Sequence, residues 1–303
     1  MRHNLRYLRD PGRIIRKLRW VRIHRGPSRD ITVDSWNGRL TVNSRDWFIG
    51  KSLFVDRAYE PETIAAAMKA LEAGGWITRG AKGTVLDIGA NIGMITTALL
   101  RHGWFDRAVC IEPSPANLRL LRLNLAQNEL EARTTVLGVA MSSEPGELAF
   151  ELSERNTGDN RVRVPGSAGT PGAFKEERRV EIKVPVDTLD HALAAAGVNA
   201  TEVKLLWMDI QGFEGKCLEG ASKTLAAGMP VILEFWPYGI ARAGMARADY
   251  MAVLRRHFDR AFRIQDDGVV PLTLAEVDSL FEEVHQPNKM AQLLFVKGEG
   301  KGI

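Results

Sequence analysis

The chain has 303 residues, 45% apolar and 26% charged, a balance that supports a packed core and excludes a wholly disordered chain. Its two cysteines, Cys110 and Cys217, stand in no CxxC or His-rich setting, so no disulfide framework or zinc site is expected and a reducing cytoplasm suits them. The formal charge of +4 is uneven, because residues 1–29 hold ten Arg or Lys against one acid, Asp10, and the remainder is net −5.

No apolar run approaches the ~20 residues that span a bilayer, and no secretory cleavage pattern is present, so the expectation is a cytoplasmic protein. Leu5, Leu8, Ile15 and Leu18, with Arg6, Arg9, Arg13, Arg16 and Arg19 between them, read as a basic amphipathic helix interrupted near Pro11-Gly12. Such a helix could pack on the domain, lie peripherally on the inner face of an anionic membrane, or touch nucleic acid, the least favoured of the three. Residues 30–35 and 39–43 alternate apolar and polar about Asn37-Gly38, which predicts a β-hairpin with a type I′ turn within a hairpin-and-linker segment over 30–58. Pro61, then Ile64, Met68 and Leu71 at helical spacing, then Gly74-Gly75, predict a helix leading into a domain over 59–303.

From Thr84 strands and helices alternate. Strands are predicted near 84–88, 107–111, 133–137, 203–208, 230–235, 260–265 and 291–297, and helices near 92–102, 115–127, 213–227 and 246–257. The implied architecture is α/β and Rossmann-like, a seven-stranded, mostly parallel sheet with helices on both faces. Residues 156–172, with four glycines and two prolines, read as a loop able to cover a substrate, between strands 147–152 and 180–186.

The segment Val85-Leu86-Asp87-Ile88-Gly89-Ala90-Asn91-Ile92-Gly93 is a buried strand entering a glycine turn and a helix. Gly89 permits close backbone approach to a ligand, and Asp87 before the turn would repel the pyrophosphate that a GxGxxG turn binds. A zwitterionic ligand such as S-adenosylmethionine suits this GxxxG spacing better, its amino group facing Asp87. Glu112 ends the next strand 19 residues after Gly93, where an acid can accept both ribose hydroxyls of an adenosine. Ser114 reads as the N-cap of the helix that follows. Taken singly, Asp87 could cap a turn and Glu112 could be a solvated strand end; the pair at this spacing favours cofactor binding.

These two segments resemble the cofactor motifs of class I methyltransferases. With Tyr59-Glu60-Pro61-Glu62-Thr63, Thr188-Leu189-Asp190, Met208-Asp209-Ile210-Gln211-Gly212-Phe213-Glu214 and Gly220-Ala221, the chain resembles the FkbM-type methyltransferase family from about Gly38 to Val296. It departs from many members at Trp207 and Gln211, where Lys and Glu are common. The resemblance implies an S-adenosylmethionine pocket lined by Asp87, Gly89, Asn91, Gly93, Glu112 and Ala140, with Ala90 and Ser114 alongside. It also implies O-methylation of a hydroxyl on a saccharide, glycolipid or secondary metabolite.

For a hydroxyl acceptor a carboxylate base is useful. Asp209, ending the fourth strand beside the first, is the first candidate, with Glu214 one turn into the next helix and Glu234 ending the fifth strand. Each has a bland alternative: holding a turn, capping a helix, or filling the core. No metal site is assigned, since no histidine clusters with these acids. An NAD-dependent oxidoreductase would want GxGxxG after the first strand, which is missing. A non-catalytic or RNA-directed protein using the basic N-terminus would not need the acids to be intact.

Overall fold

The computed structural model describes residues 10–164 and 173–298; Leu5, Arg6, Leu8 and Arg9 of the expected helix and residues 165–172 of the expected loop lie outside the described residues. Pro11 opens a helix, Pro11–Arg25, at the position where its missing N–H and fixed φ cost nothing. This helix docks through fully buried Trp20, with Arg13 Nε on Asp56 at 2.5 Å and Arg16 Nε on the Val55 carbonyl at 2.7 Å. Its aliphatic residues Ile14, Ile15 and Leu18 stay exposed, the reverse of the packing that an apolar inner face implies.

Strands β1 (Asp30–Ser35) and β2 (Gly38–Asn43) form the expected antiparallel hairpin. Its loop is Trp36–Asn37, one residue earlier than predicted, and neither residue has positive φ, so the turn is not type I′. The physical reason lies in Asn37, whose buried side chain donates to the Tyr59 carbonyl at 3.0 Å and accepts the Tyr59 N–H at 2.7 Å. Two further asparagines hold β2 to the main body. Asn124 accepts the Thr41 N–H at 2.6 Å and donates to the Thr41 carbonyl at 3.2 Å, and Asn128 does the same for Arg39 at 3.0 and 2.8 Å. Side-chain amides thus stand in for a neighbouring strand.

After the short Ile49–Lys51 and Ser52–Asp56 turns, the helix Pro61–Ala73 precedes β3 (Thr84–Ile88), β4 (Arg107–Ile111) and β5 (Thr134–Leu137). Next come β6 (Ala140–Met141), β7 (Gly146–Leu152), β8 (Arg161–Arg163), β9 (Val180–Asp187), β10 (Val203–Met208), β11 (Val231–Phe235), β12 (Arg260–Gln265), β13 (Gly268–Leu272) and β14 (Ala291–Val296). The main sheet has eight strands in the order β13-β12-β14-β11-β10-β3-β4-β5. From β11 to β5 the strands are parallel, and β14, β12 and β13 pair antiparallel. All seven predicted strands are present; the eighth, β13, follows an Asp266-Asp267 turn and is not among the predicted elements. Every residue of β3 and β11 is buried, as a sheet covered on both faces requires.

Three local differences follow from backbone constraints. The predicted helix at 92–102 begins only at Met94, because Asn91 (φ 52) and Gly93 (φ 88) hold left-handed conformations that end the turn first. The predicted helix at 213–227 divides into Glu214–Glu219 and Ser222–Leu225 around Gly220, where an added Cβ would lie 2.2 Å from the Ser142 carbonyl oxygen. Within the expected loop, β8 joins a second sheet of order β6-β9-β7-β8. Helices Leu189–Ala195, Pro237–Arg242 and Leu274–Glu283 complete the layers.

Candidate active site

Strand order reverses between β3 and β10, and the C-terminal ends of strands on either side of such a point open a crevice. A cleft of about 500 Å³ lies there. Of the residues singled out in the sequence, Gly89, Asn91, Glu112, Ala140 and Asp209 line it. Asp87, Ala90, Gly93, Ser114, Glu214 and Glu234 do not line it.

The glycine turn is shaped by its neighbours. Gly89 has φ 84, and an added Cβ would lie 1.9 Å from the Asp209 carbonyl oxygen, so the missing side chain admits the end of β10. The Gly89 and Ala90 N–H groups both donate to the Ile111 carbonyl, at 2.9 and 3.0 Å. Asp87 is 2% exposed and accepts from the Thr96 N–H at 3.1 Å and the Thr96 hydroxyl at 2.5 Å. Burial pushes its pKa up to about 6 against those hydrogen bonds.

Glu112 joins the glycine turn to the next helix. Its Oε2 accepts from the Asn91 N–H at 2.9 Å, and its Oε1 from the Ser114 N–H at 2.8 Å and Asn117 Nδ2 at 3.4 Å. Burial raises its pKa to about 7, opposed by these donors. Ser114 is the N-cap of Pro115–Gln127, its hydroxyl 3.5 Å from the Asn117 N–H. The apolar wall is Val139, Ala140, Met141, Phe150 and Val162.

Beside the cleft sits a cluster of carboxyls. Asp209 is half-buried, and its Oδ1 accepts from Gln211 Nε2 at 2.8 Å. The same nitrogen donates to Glu234 Oε2 at 2.9 Å, so one amide separates two acids that would otherwise repel. Burial raises the pKa of Asp209; burial and then the Asp209 charge hold Glu234 well above the ordinary range. Glu214 is fully buried, with Oε1 turned back to accept the Ile210 N–H at 3.0 Å and Oε2 without a partner; burial pushes it up to about 8. Among the described residues no group of three or more His, Cys, Asp or Glu is arranged to hold a metal ion.

Several residues of the site are not named as site residues from the sequence, although Glu60 belongs to the motif at 59–63 and Thr157, Gly158 and Asn160 to the loop expected to cover a substrate. Glu60, in a left-handed conformation (φ 48), is accessible to solvent yet surrounded by protein, and burial plus the Asp209 charge push it up to about 7. Thr157, Gly158 and Asn160 close one side of the cleft. They are tied to the N-terminal segment by Asp46, whose Oδ2 accepts the Thr157 N–H at 2.9 Å and its hydroxyl at 2.5 Å. Behind them Arg161, 2% exposed at its side chain, bonds Glu151 at 2.7 Å and Glu176 at 2.6 Å and lies 5.1 Å from the Trp236 ring. Arg242 pairs with the same two glutamates, so this network fastens β8 to the helix Pro237–Arg242. The glycine-rich composition of the segment marks a loop, and its alternating Arg161-Val162-Arg163 is the available signal for a strand.

Comparison with known proteins bears on this cleft. A family model described as the methyltransferase FkbM domain matches residues 87–287. A 2-O-methyltransferase, NoeI, of Sinorhizobium fredii is 27% identical over 156 residues, covering 50% of this chain and 62% of that protein's length. Among solved structures, a methyltransferase FkbM from Methylobacillus flagellatus is 17% identical with a TM-score of 0.42, covering 79% of this chain and 56% of that one. The chain therefore matches less than two thirds of the length of either of these two relatives. The Streptococcus pneumoniae protein Sp1610 in complex with S-adenosyl-L-methionine is 14% identical with a TM-score of 0.39, covering 78% and 74%.

Proposed function

Because the chain belongs to the FkbM methyltransferase family, we propose that this methyltransferase uses S-adenosylmethionine and methylates a hydroxyl of a saccharide, glycolipid or secondary metabolite. The observation that carries the reading is that one cleft is lined both by Glu112, at the end of the second parallel strand, and by Asp209, at the end of the fourth. The 2-O-methyltransferase relative favours oxygen as the acceptor atom.

The residues present fit the cofactor. Glu112 Oε2 accepts only from Asn91, which leaves it a lone pair for a ribose hydroxyl, and Val139, Ala140 and Phe150 offer an apolar surface for adenine. The cofactor supplies a methyl group already activated on a sulfonium centre. The chain has only to hold the acceptor oxygen in line and accept its proton. Asp209 is suited to accepting it, because Gln211 fixes Oδ1, Oδ2 remains for the hydroxyl, and burial makes the carboxylate a stronger base at neutral pH. Glu60, brought near Asp209, adds a second carboxyl for a substrate with more than one hydroxyl.

Calorimetry with S-adenosylhomocysteine tests the cofactor half. The native chain should bind it while NAD does not compete, and Glu112→Gln should weaken binding about tenfold or more, the cost of one charged hydrogen bond. Unchanged affinity in that variant would remove the assignment.

A further inference from the structure

The helix Pro11–Arg25 is turned opposite to the usual sense of a surface helix. Positions 13, 16, 20 and 23 lie on one face at 3.6-residue spacing, and positions 14, 15, 18, 22 and 25 on the other. The first face is against the protein, where Arg13 reaches Asp56, Arg16 the Val55 carbonyl, and Trp20 is fully buried. The second face holds Ile14, Ile15 and Leu18, which are 60%, 58% and 67% exposed. Two of the helix's arginines are thus partnered inward while its aliphatic side chains face water.

The exposed face also carries charge of one sign. Arg22 and Arg25 on this face, and Lys17 and Arg19 on its two flanks, are exposed, and no hydrogen bond or ion pair holds them among the described residues. The helix has no acidic residue in its first turn, and its N-cap Asp10 is engaged by Arg16 at 2.8 Å.

We propose that this face docks on an anionic lipid bilayer, with Ile14, Ile15 and Leu18 entering the interface and Lys17, Arg19, Arg22 and Arg25 meeting the headgroup charge. A lipid surface uses both halves of the pattern, apolar insertion and electrostatic attraction. A nucleic acid would engage the cations and leave three aliphatic side chains in water. A second copy would bury the aliphatics but bring together two helices that carry basic residues and no acid. No described helix is long and apolar enough to cross a membrane, so the contact is peripheral. The helix packs on Ser52–Asp56, the segment that leads to Glu60.

The test is co-sedimentation of the full chain with vesicles of phosphatidylcholine alone and with one-third phosphatidylglycerol. The native chain should sediment with the anionic vesicles and be released by high salt. Replacing Ile14, Ile15 and Leu18 together by serine should lower partitioning by on the order of a hundredfold. Arg22→Gln with Arg25→Gln should lower it about 25-fold. Circular dichroism and S-adenosylhomocysteine binding should match the native chain in both variants, since none of these residues touches the cleft. The following results would overturn the proposal. They are a native chain that stays in the supernatant with anionic vesicles, a serine variant that sediments like the native chain, and light scattering that shows a dimer which the serine variant dissolves. Preferential binding to duplex RNA, unaffected by the serine changes, would count equally against it. The readout is independent of methyl transfer, so its failure leaves the proposed activity untouched.

Discussion

Replacing Glu214 by glutamine separates a structural acid from a catalytic one. Its carboxyl is fully buried, Oε1 accepts the Ile210 N–H, Oε2 has no partner, and its pKa is raised from 4.5 to about 8 by burial, against backbone donors. The native state therefore binds a proton that the unfolded chain releases. A raised carboxyl contributes stability that is fully present below about pH 4.5 and is lost as pH rises to about 8. At about 1.4 kcal/mol per pKa unit, that loss is on the order of 3 kcal/mol by pH 7 and 5 kcal/mol by pH 9. Glu214→Gln keeps the oxygen that meets Ile210 and cannot ionise, but its amide nitrogen goes unpartnered, at a cost of about 1–3 kcal/mol at every pH. The variant should be less stable than the native chain at pH 5 and more stable at pH 9. Urea unfolding followed by tryptophan fluorescence from pH 5 to 9 measures this difference. Stability curves that run parallel across the range would refute the reasoning, and a variant that folds normally but transfers no methyl group would return Glu214 to the chemistry.

Other outcomes follow from the same geometry. Asp209→Asn should lower kcat by about 10²–10⁴ while S-adenosylhomocysteine affinity stays within about twofold, measured by labelled methyl transfer and calorimetry. Gly89→Ala places a Cβ 1.9 Å from the Asp209 carbonyl oxygen at φ 84, so it should cost about 2–5 kcal/mol in urea unfolding and abolish cofactor binding. Arg161→Met leaves Glu151 and Glu176 buried with one cation fewer and should cost about 3–5 kcal/mol, read from the unfolding midpoint. Thr273→Ala removes one half of the capping box of Leu274–Glu283 and should cost only about 1 kcal/mol with activity unchanged.

The parallel core is legible because its signals are local. Strands buried on both faces read as continuous apolar runs, and the turns after β3 and β4 carry their acids and glycines within a few residues of the strand ends. Where side chains make their own long-range bonds, local signals mislead. Asn37 has the composition of a turn former, yet its amide is committed to Tyr59, and the turn moves by one residue. β13 has no buried residue and contains Pro271, so it lacks the burial pattern that marks the central strands of its sheet. β8 is a strand of arginines whose burial depends on Glu151 and Glu176, residues outside its own segment.

The sequence by itself determined the order of strands and helices, the GxxxG turn, and the acids Asp87, Glu112 and Asp209, since each follows from periodicity and the chemistry of neighbouring residues. Only the tertiary structure decided which of those groups reach the cleft. It turned Glu214 away, linked Asp209 to Glu234 through Gln211, and brought Glu60 to them from 149 positions before Asp209. It also chose which face of the basic helix meets the protein. A helical repeat states only that two faces exist, and packing of Trp20 selects between them.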